Sequence, residues 1–247
     1  MAPSHPLQSK LPLPSQLEQL RRLSTCVVAS AIETANVRLP NTGFAHSDIR
    51  CIFEGLSPVA AHAATARVRT AAPPIEGGRY SYARTDWWDH LLAIPAPRIL
   101  VIQDMDTNPG LGAFIGEVHS NILLAMSCVG VVTNGAVRDL PEVRPTGFYM
   151  FAGNVSVSHA YAHVLDFGGP VEVGGLKIHP GDLIHGDVHG IQTVPIEALD
   201  EILSAANEIL QTRRHLVGIC HSPGITLERL REAVKIDLQP KKGPNQN

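Results

Sequence analysis

The sequence predicts a layered α/β domain, and three observations carry the prediction. Residues 98–104, Arg-Ile-Leu-Val-Ile-Gln-Asp, are a mostly apolar run with turn signals at both ends, the pattern of a strand buried on both faces. Residues 116–128 and 196–214 carry apolar side chains at helical spacing. Around them lie shorter apolar runs punctuated by Gly and Pro, as short strands joined by tight turns require. Helices come first, then strands mixed with helices, then a strand-rich block and a closing helix. That order fits one layered domain better than two separate ones.

The elements follow in sequence. Residues 1–14 hold four prolines and little apolar periodicity, so an extended or disordered arm is expected there. Ser15 with Glu18 forms a capping-box pattern that predicts a helix start. Ser24 or Thr25 caps a second helical run through Cys26, Val27, Ala29, Ile32 and Ala35, which Pro40, Asn41 and Gly43 end. Residues 60–70 are Ala-rich and end on a strand-like alternation, so helix and strand both stay open. Residues 73–95 are an aromatic excursion with Tyr80, Tyr82, Trp87 and Trp88. It should hold a short helix near 87–92, and its aromatics are expected to pack on a neighbouring subunit. After the strand at 98–104, the helix over 116–128 places Val118, Ile122, Ala125, Met126 and Val129 on one face, with Gly130 just past its end. Residues 131–133 form a strand, 148–152 another, and 155–158 a further candidate. Gly174-Gly175 turns a hairpin over 171–178, and strands at 183–184 and 191–194 flank a turn at 187–190. Pro195 opens the long helix, and a last short helix over 226–236 precedes a polar tail. The expected organisation is an arm (1–14), one domain (15–222), and a C-terminal helix and tail (223–247).

Composition narrows the function. A formal net charge of −3 offers no global attraction to nucleic acid or to an anionic membrane. No apolar run approaches membrane-spanning length, and residues 1–14 lack the apolar core of a secretory signal. Cys26, Cys51, Cys128 and Cys220 are scattered, without the close pairs of a zinc ribbon or redox motif, so a reducing, cytoplasmic setting is expected. No phosphate-binding glycine loop or serine nucleophile elbow is present. His159 and His163 stand four apart, and His185 and His189 flank a Gly-Asp turn. Without a third placed ligand, neither pair predicts zinc.

The chemistry concentrates in residues 111–139. Glu117 falls at the start of a predicted helix, where unpaired N–H groups and partial positive charge attract a carboxylate. The amides around Val118 and His119 would hold a carboxylate-bearing small molecule. Arg138 would add a forked, charge-assisted pair. Asp139 is a hard oxygen ligand suited to Mg²⁺ or Mn²⁺, with Glu117 reaching the metal directly or through water. The bland alternatives are a dipole-complementing Glu117, an Arg138–Asp139 surface ion pair and an Asn134-Gly135 tight turn.

Gly116-Glu117 followed by Gly130-Val131-Val132-Thr133-Asn134-Gly135-Ala136-Val137-Arg138-Asp139 resembles the signature of the RraA-like family. That family contains regulators of ribonuclease activity and class II 4-hydroxy-4-methyl-2-oxoglutarate aldolases. A second match runs through Gly175, Pro180-Gly181-Asp182-Leu183-Ile184, Gly186-Asp187, His189-Gly190-Ile191 and Val194-Pro195. The resemblance implies an α/β/β/α sandwich of the RraA-like, swivelling-domain-like type, assembled as a homotrimer or hexamer with sites at subunit interfaces. It implies Asp139 as the anchor of a divalent metal, Mg²⁺ or Mn²⁺, Glu117 at the metal's water shell, and Arg138 with the amides of Val118 and His119 on the pyruvyl part of a 2-oxo acid. Catalytic roles then fall to Arg138 and Glu117. Two departures stand out. Asn134 occupies a place where the family commonly has Asp, and the acidic residue that aldolases take from a neighbour's C-terminal region has no placed equivalent, although Glu228 and Glu232 lie in that region. Two functions follow from the resemblance: a metal-dependent lyase acting on 2-oxo acids, or a non-catalytic regulator that binds a ribonuclease or another protein.

Overall fold

A computed structural model describes residues 11–46, 48–74 and 85–237. Most of the expected arm, Tyr80 and Tyr82 of the excursion, and the tail beyond 237 lie outside the described residues. In chain order the elements are α1 (Pro14–Leu20), α2 (Thr25–Thr34), β1 (Arg50–Cys51), β2 (Val59–Arg69), α3 (Asp86–Ala93), β3 (Arg98–Asp104), β4 (Ala113–Ile115), α4 (Glu117–Ala125), β5 (Cys128–Val137), α5 (Leu140–Val143), β6 (Tyr149–Val155), β7 (His163–Phe167), β8 (Val171–Val173), β9 (Leu176–Ile178), β10 (Leu183–Asp187), β11 (Gly190–Val194), α6 (Leu199–Cys220) and α7 (Leu227–Asp237).

One large mixed sheet runs β1-β6-β5-β3-β2-β10-β11, with β4 added to β5 and β7 to β2. Strands β2, β3, β5 and β6 are parallel neighbours, so their carboxyl ends share one rim. Phe44 bridges to Gln192 of β11 at one edge of the sheet, and Arg50 of β1 pairs with Ala152 of β6 at the other, so the sheet nearly closes on itself.

Period-2 alternation on strands that are apolar on both faces builds the layers. Ile99 and Val101 of β3, Val132 of β5, Phe151 of β6 and Ile184 of β10 point inward, where the β8–β9 hairpin also packs. Leu100, Ile102, Val131 and Met150 point outward into a second cluster with Trp87 and Leu91 of α3 and Leu123 of α4. A third cluster joins α1, α2 and α6 to Leu183 and Val194. Each such side chain taken out of water contributes about 1.5–3 kcal/mol, which is why the apolar runs settle as central strands.

Several expectations shift. The first helix begins at Pro14, one residue early. Gln16 Oε1, rather than Glu18, accepts the N–H of Leu13 at 2.7 Å, and Pro14 needs no acceptor. Ser24 caps α2 as expected, its Oγ accepting the Val27 N–H at 3.3 Å. The Ala-rich stretch is a strand, because β3, β7 and β10 all pair with it. Trp87 is 3% exposed and packs edge-on against Phe114 of its own chain, not on a neighbouring subunit. Helix α4 stops at Ala125, and Gly130 lies inside β5, where a Cβ would press 2.7 Å from the Tyr149 carbonyl oxygen. Asn134 and Gly135 are strand residues at an irregularity of β5, not a tight turn. Residues 155–158 form no separate strand, and β7, which periodicity does not reveal, follows instead.

Candidate active site

The site is built where β4 lies along the last residues of β5. Ala113 pairs with Ala136 and Ile115 with Val137, and the Arg138 N–H donates to the Ile115 carbonyl at 3.0 Å. This pairing sets Gly116, the N-cap of α4, beside Arg138 and Asp139. Gly116 has φ −143°, an extended conformation open to any residue, so its requirement is space. A Cβ there would collide with Asp139 Oδ2 and lie 3.0 Å from Arg138 Cγ.

Asp139 is left-handed, φ 55° and ψ 42°, a region Asp and Asn tolerate better than other side chains. The kink lets its backbone carbonyl accept the Val143 N–H of α5 at 3.0 Å. It also turns the carboxylate back over the start of α4. Asp139 Oδ2 accepts the Glu117 N–H at 2.9 Å and lies 3.4 Å from Arg138 Nε. The Arg138 and Asp139 side chains are about one-third exposed, so the pair opens to solvent without being a loose surface ion pair.

The structure therefore brings together three of the five expected residues, Glu117, Arg138 and Asp139. Val118 is 65% exposed on the rim, so only its backbone amide can serve the site. His119 is 8% exposed and stacks on Phe114 with ring centres 5.0 Å apart. Burial, assisted by the positive charge of Arg138, holds its imidazole below the usual histidine range and favours the neutral ring. It supports the site from beneath. His159 and His163 lie outside any helix, so their i, i+4 spacing does not bring them to one helical face.

Sequence reasoning noted Asn134 only as a turn residue and a departure from the family's Asp, and passed over Asp104, the residue it anchors on this rim. Asn134 Oδ1 accepts the Asp104 N–H at 2.7 Å, and Asn134 Nδ2 donates to the Asp104 carbonyl at 3.0 Å. A carboxylate could accept but not donate, which accounts for Asn at this place. Asp104 is 3% exposed, and burial raises its pKa above the usual carboxylate range. Its two oxygens accept the N–H groups of Asp106 and Gly110 at 3.1 and 2.9 Å and so shape the loop before β4. The only sequence signal was the turn pattern Asn108-Pro109-Gly110 after an acidic pair.

Among the described residues, no three His, Cys, Asp or Glu side chains gather into a group that could hold a metal. Asp139 presents its carboxylate at the start of α4, and Glu117, whose backbone N–H it accepts, is exposed in the same turn. Mg²⁺ keeps much of its water shell and is held by one or two carboxylates, so oxygen donors of this kind suit Mg²⁺ or Mn²⁺ better than a closed zinc site.

A family model described as "RraA-like: Aldolase/RraA" matches residues 25–192, well over half of the chain. The chain belongs to the RraA-like family. Over 147 residues this RraA-like chain is 29% identical to Protein DlpA of Legionella pneumophila, covering 56% of this chain and 22% of that protein. Over 97 residues it is 27% identical to a putative 4-hydroxy-4-methyl-2-oxoglutarate aldolase of Halalkalibacterium halodurans, covering 39% of this chain and 46% of that protein. The matches thus span less than half the length of these curated relatives. Among solved structures, Streptomyces coelicolor RraAS2, described as an unusual member of the RNase ES inhibitor RraA protein family, superposes with a TM-score of 0.66. That match has 20% identity and covers 83% of this chain and 98% of that one, a likeness of fold. The family holds both metal-dependent aldolases and RraA regulators, and the relatives' names point both ways. Among the described residues no helix is long and apolar enough to cross a membrane.

Proposed function

We propose that this RraA-like chain is a divalent-metal-dependent lyase acting on 2-oxo acids, by retro-aldol cleavage of a 4-hydroxy-2-oxo acid or by decarboxylation of oxaloacetate. Both reactions pass through the enolate of pyruvate. The observation that carries the proposal is the convergence on Asp139. Its carboxylate is held in a left-handed backbone, against Arg138 and over the first turn of α4, in space that only Gly116 leaves.

Each group then has a task. Arg138 points Nε at Asp139 and offers its terminal nitrogens to the substrate carboxylate. The first-turn amides of Val118 and His119 add partial positive charge beside it. Glu117, exposed at the head of α4, holds a water through which a proton moves to or from the substrate. Asp139 and Glu117 are the residues that would hold Mg²⁺ or Mn²⁺, and the ion when bound supplies Lewis acidity toward the oxo acid. Assembly as a homotrimer or hexamer belongs to the same proposal. Val118 and Val157, 65% and 99% exposed near this rim, support it as a surface for another subunit.

The test is pyruvate release, coupled to lactate dehydrogenase, from oxaloacetate and from 4-hydroxy-4-methyl-2-oxoglutarate. Arg138→Ala is expected to lose on the order of 10²–10³ in rate with an unchanged melting temperature, because it removes the main counter-charge of the substrate. Wild-type turnover in that variant sinks the proposal. The same exposed apolar rim favours a second reading, a non-catalytic regulator that binds a ribonuclease or another protein. Pyruvate release that disappears with chelator and returns with Mg²⁺ supports the lyase. Absence of release with any divalent metal supports the regulator.

A further inference from the structure

A second feature opens on the same rim. The loop between β3 and β4 and the end of β6 enclose an open recess of about 490 Å³, lined by Asp106, Thr107, Asn108, Gly110, Leu111 and Asn154 among others. That volume lies in the range of small-molecule sites. Its walls are held in place. Asp104 accepts the Asp106 and Gly110 N–H groups, Asn134 fixes the Asp104 backbone at two points, and Ser156 Oγ donates to the Leu111 carbonyl at 2.9 Å. Gly110 has φ +94°, and a Cβ on it would meet Asn154 Nδ2 at 2.5 Å, so glycine is required where the loop crosses Asn154.

Register ties the recess to the candidate site. Asn154 pairs with Ala136, two residues before Arg138 on β5, and Leu111 precedes β4 by two residues. Two strand residues span about 7 Å, roughly the end-to-end length of an extended six-carbon chain. The lining has a distinct chemistry. Among the described residues no Lys, Arg or His lines the recess, and the one ionisable side chain among them is Asp106. Hydrogen bonds from Thr70 N, Thr70 Oγ1 and Ala71 N outweigh burial and hold the Asp106 carboxyl below its usual range, so it is negative at neutral pH. Around it stand the Asn108 and Asn154 amides and the Thr107 hydroxyl, donors and acceptors that match alcohols.

We infer that this recess receives the far end of the substrate, and that the far end is an uncharged chain bearing hydroxyl groups, as in a 3-deoxy-2-oxo sugar acid, not a second carboxylate. The inference rests on the lyase reading and names its substrate class. In the reaction the C3–C4 bond breaks, and its electron pair passes into the pyruvate enolate. The C4 hydroxyl loses its proton as its oxygen becomes a carbonyl, and C3 gains a proton. The products are pyruvate and a hydroxyaldehyde, with no oxidant or reductant consumed. A second carboxylate in the recess would face Asp106 without a counter-charge, and such like-charge juxtaposition is strongly disfavoured.

The experiment compares pyruvate release by the full chain with Mg²⁺ from 4,5,6-trihydroxy-2-oxohexanoate, from 4-hydroxy-4-methyl-2-oxoglutarate and from oxaloacetate, which has no tail to place. The expected result is kcat/KM at least about tenfold higher for the trihydroxy acid than for the dicarboxylate, the discrimination that one unpaired charge imposes. Asn108→Arg, a change at an exposed loop position, should raise the dicarboxylate relative to the trihydroxy acid by a similar factor. Turnover of oxaloacetate with the dicarboxylate equal or preferred, or a ratio unmoved by Asn108→Arg, overturns the recess assignment alone. Failure of all three substrates to release pyruvate overturns the lyase reading and this inference with it.

Discussion

Replacing Gly116 with alanine tests whether Gly116, Asp139 and the start of α4 act as one unit. The backbone at φ −143° accepts alanine without strain, so the effect isolates the added methyl group. That methyl would collide with Asp139 Oδ2 and stand 3.0 and 3.1 Å from Arg138 Cγ and Nε, inside ordinary van der Waals contact. The carboxylate must retreat by about 1 Å, since neither the paired β4–β5 backbone nor the α4 start can yield as readily. Retreat breaks the 2.9 Å bond from the Glu117 N–H and loosens Arg138. A hydrogen bond to a charged group contributes about 1.5–3 kcal/mol, and water replaces part of it at a side chain one-third exposed, leaving a loss of about 1–2 kcal/mol. The catalytic effect should be larger, because a group displaced by about 1 Å costs on the order of 10²-fold in rate. Denaturant titration and pyruvate-release kinetics measure the two losses. A variant within threefold of wild-type kcat/KM, at about threefold or better precision, refutes the claim that this contact positions the site.

Other outcomes follow from the same structure. Asn134→Asp is expected to lower stability by about 1–3 kcal/mol in thermal denaturation, because the Asp104 carbonyl loses its donor and a second carboxylate enters beside a buried one; an unchanged melting temperature refutes that role. His62, His119 and His185 are buried, and burial holds each below the ordinary value of 6.5. The unfolded chain therefore binds more protons than the folded one below that value, so their contribution is complete above pH 6.5 and is lost as pH falls toward the folded-state values. Urea midpoints at pH 7.5 and about pH 5.5 should differ in that direction, and equal midpoints would show the three rings gain no protons on unfolding. Cys128 is buried, with its thiol pushed up to about 12, whereas Cys26 and Cys220 are exposed. A thiol reagent should modify the two exposed cysteines first and reach Cys128 only on unfolding; early labelling of Cys128 by mass spectrometry would contradict its burial.

The parts of the fold that were legible in the sequence depend on local patterns. The β3 run is apolar on both faces because it packs on both faces, and the hairpin turn needs Gly174 and Gly175 at φ 55° and 71°. Ser24 announces α2, and the apolar stripe of α6 announces the packing against α2 and β11. The misreadings arose where a distant partner overrode a local preference. Gly130 has the look of a helix end and Asn134-Gly135 of a turn. Both lie in β5, because that strand gains neighbours on two sides, and Gly130 is small to admit Tyr149. β7 is a strand because the far end of β2 offers it an edge. Trp87 stands in an excursion by sequence but finds a pocket beside Phe114 in its own core.

The sequence by itself determined the α/β class and the order of most elements, and it singled out Glu117, Arg138 and Asp139 as candidates. Only the tertiary structure decided how they meet. Glu117 and Asp139 are 22 residues apart, and the 2.9 Å bond between them exists because β4 pairs with the end of β5. It decided that His119 lies beneath the site, that Gly116 is a matter of space and not of conformation, and that Asn134 ties β5 to β3. The reason is physical. Periodicity and propensity report the neighbours of a residue along one element, whereas a site depends on which elements lie side by side, and that is settled by the burial and pairing of the whole sheet.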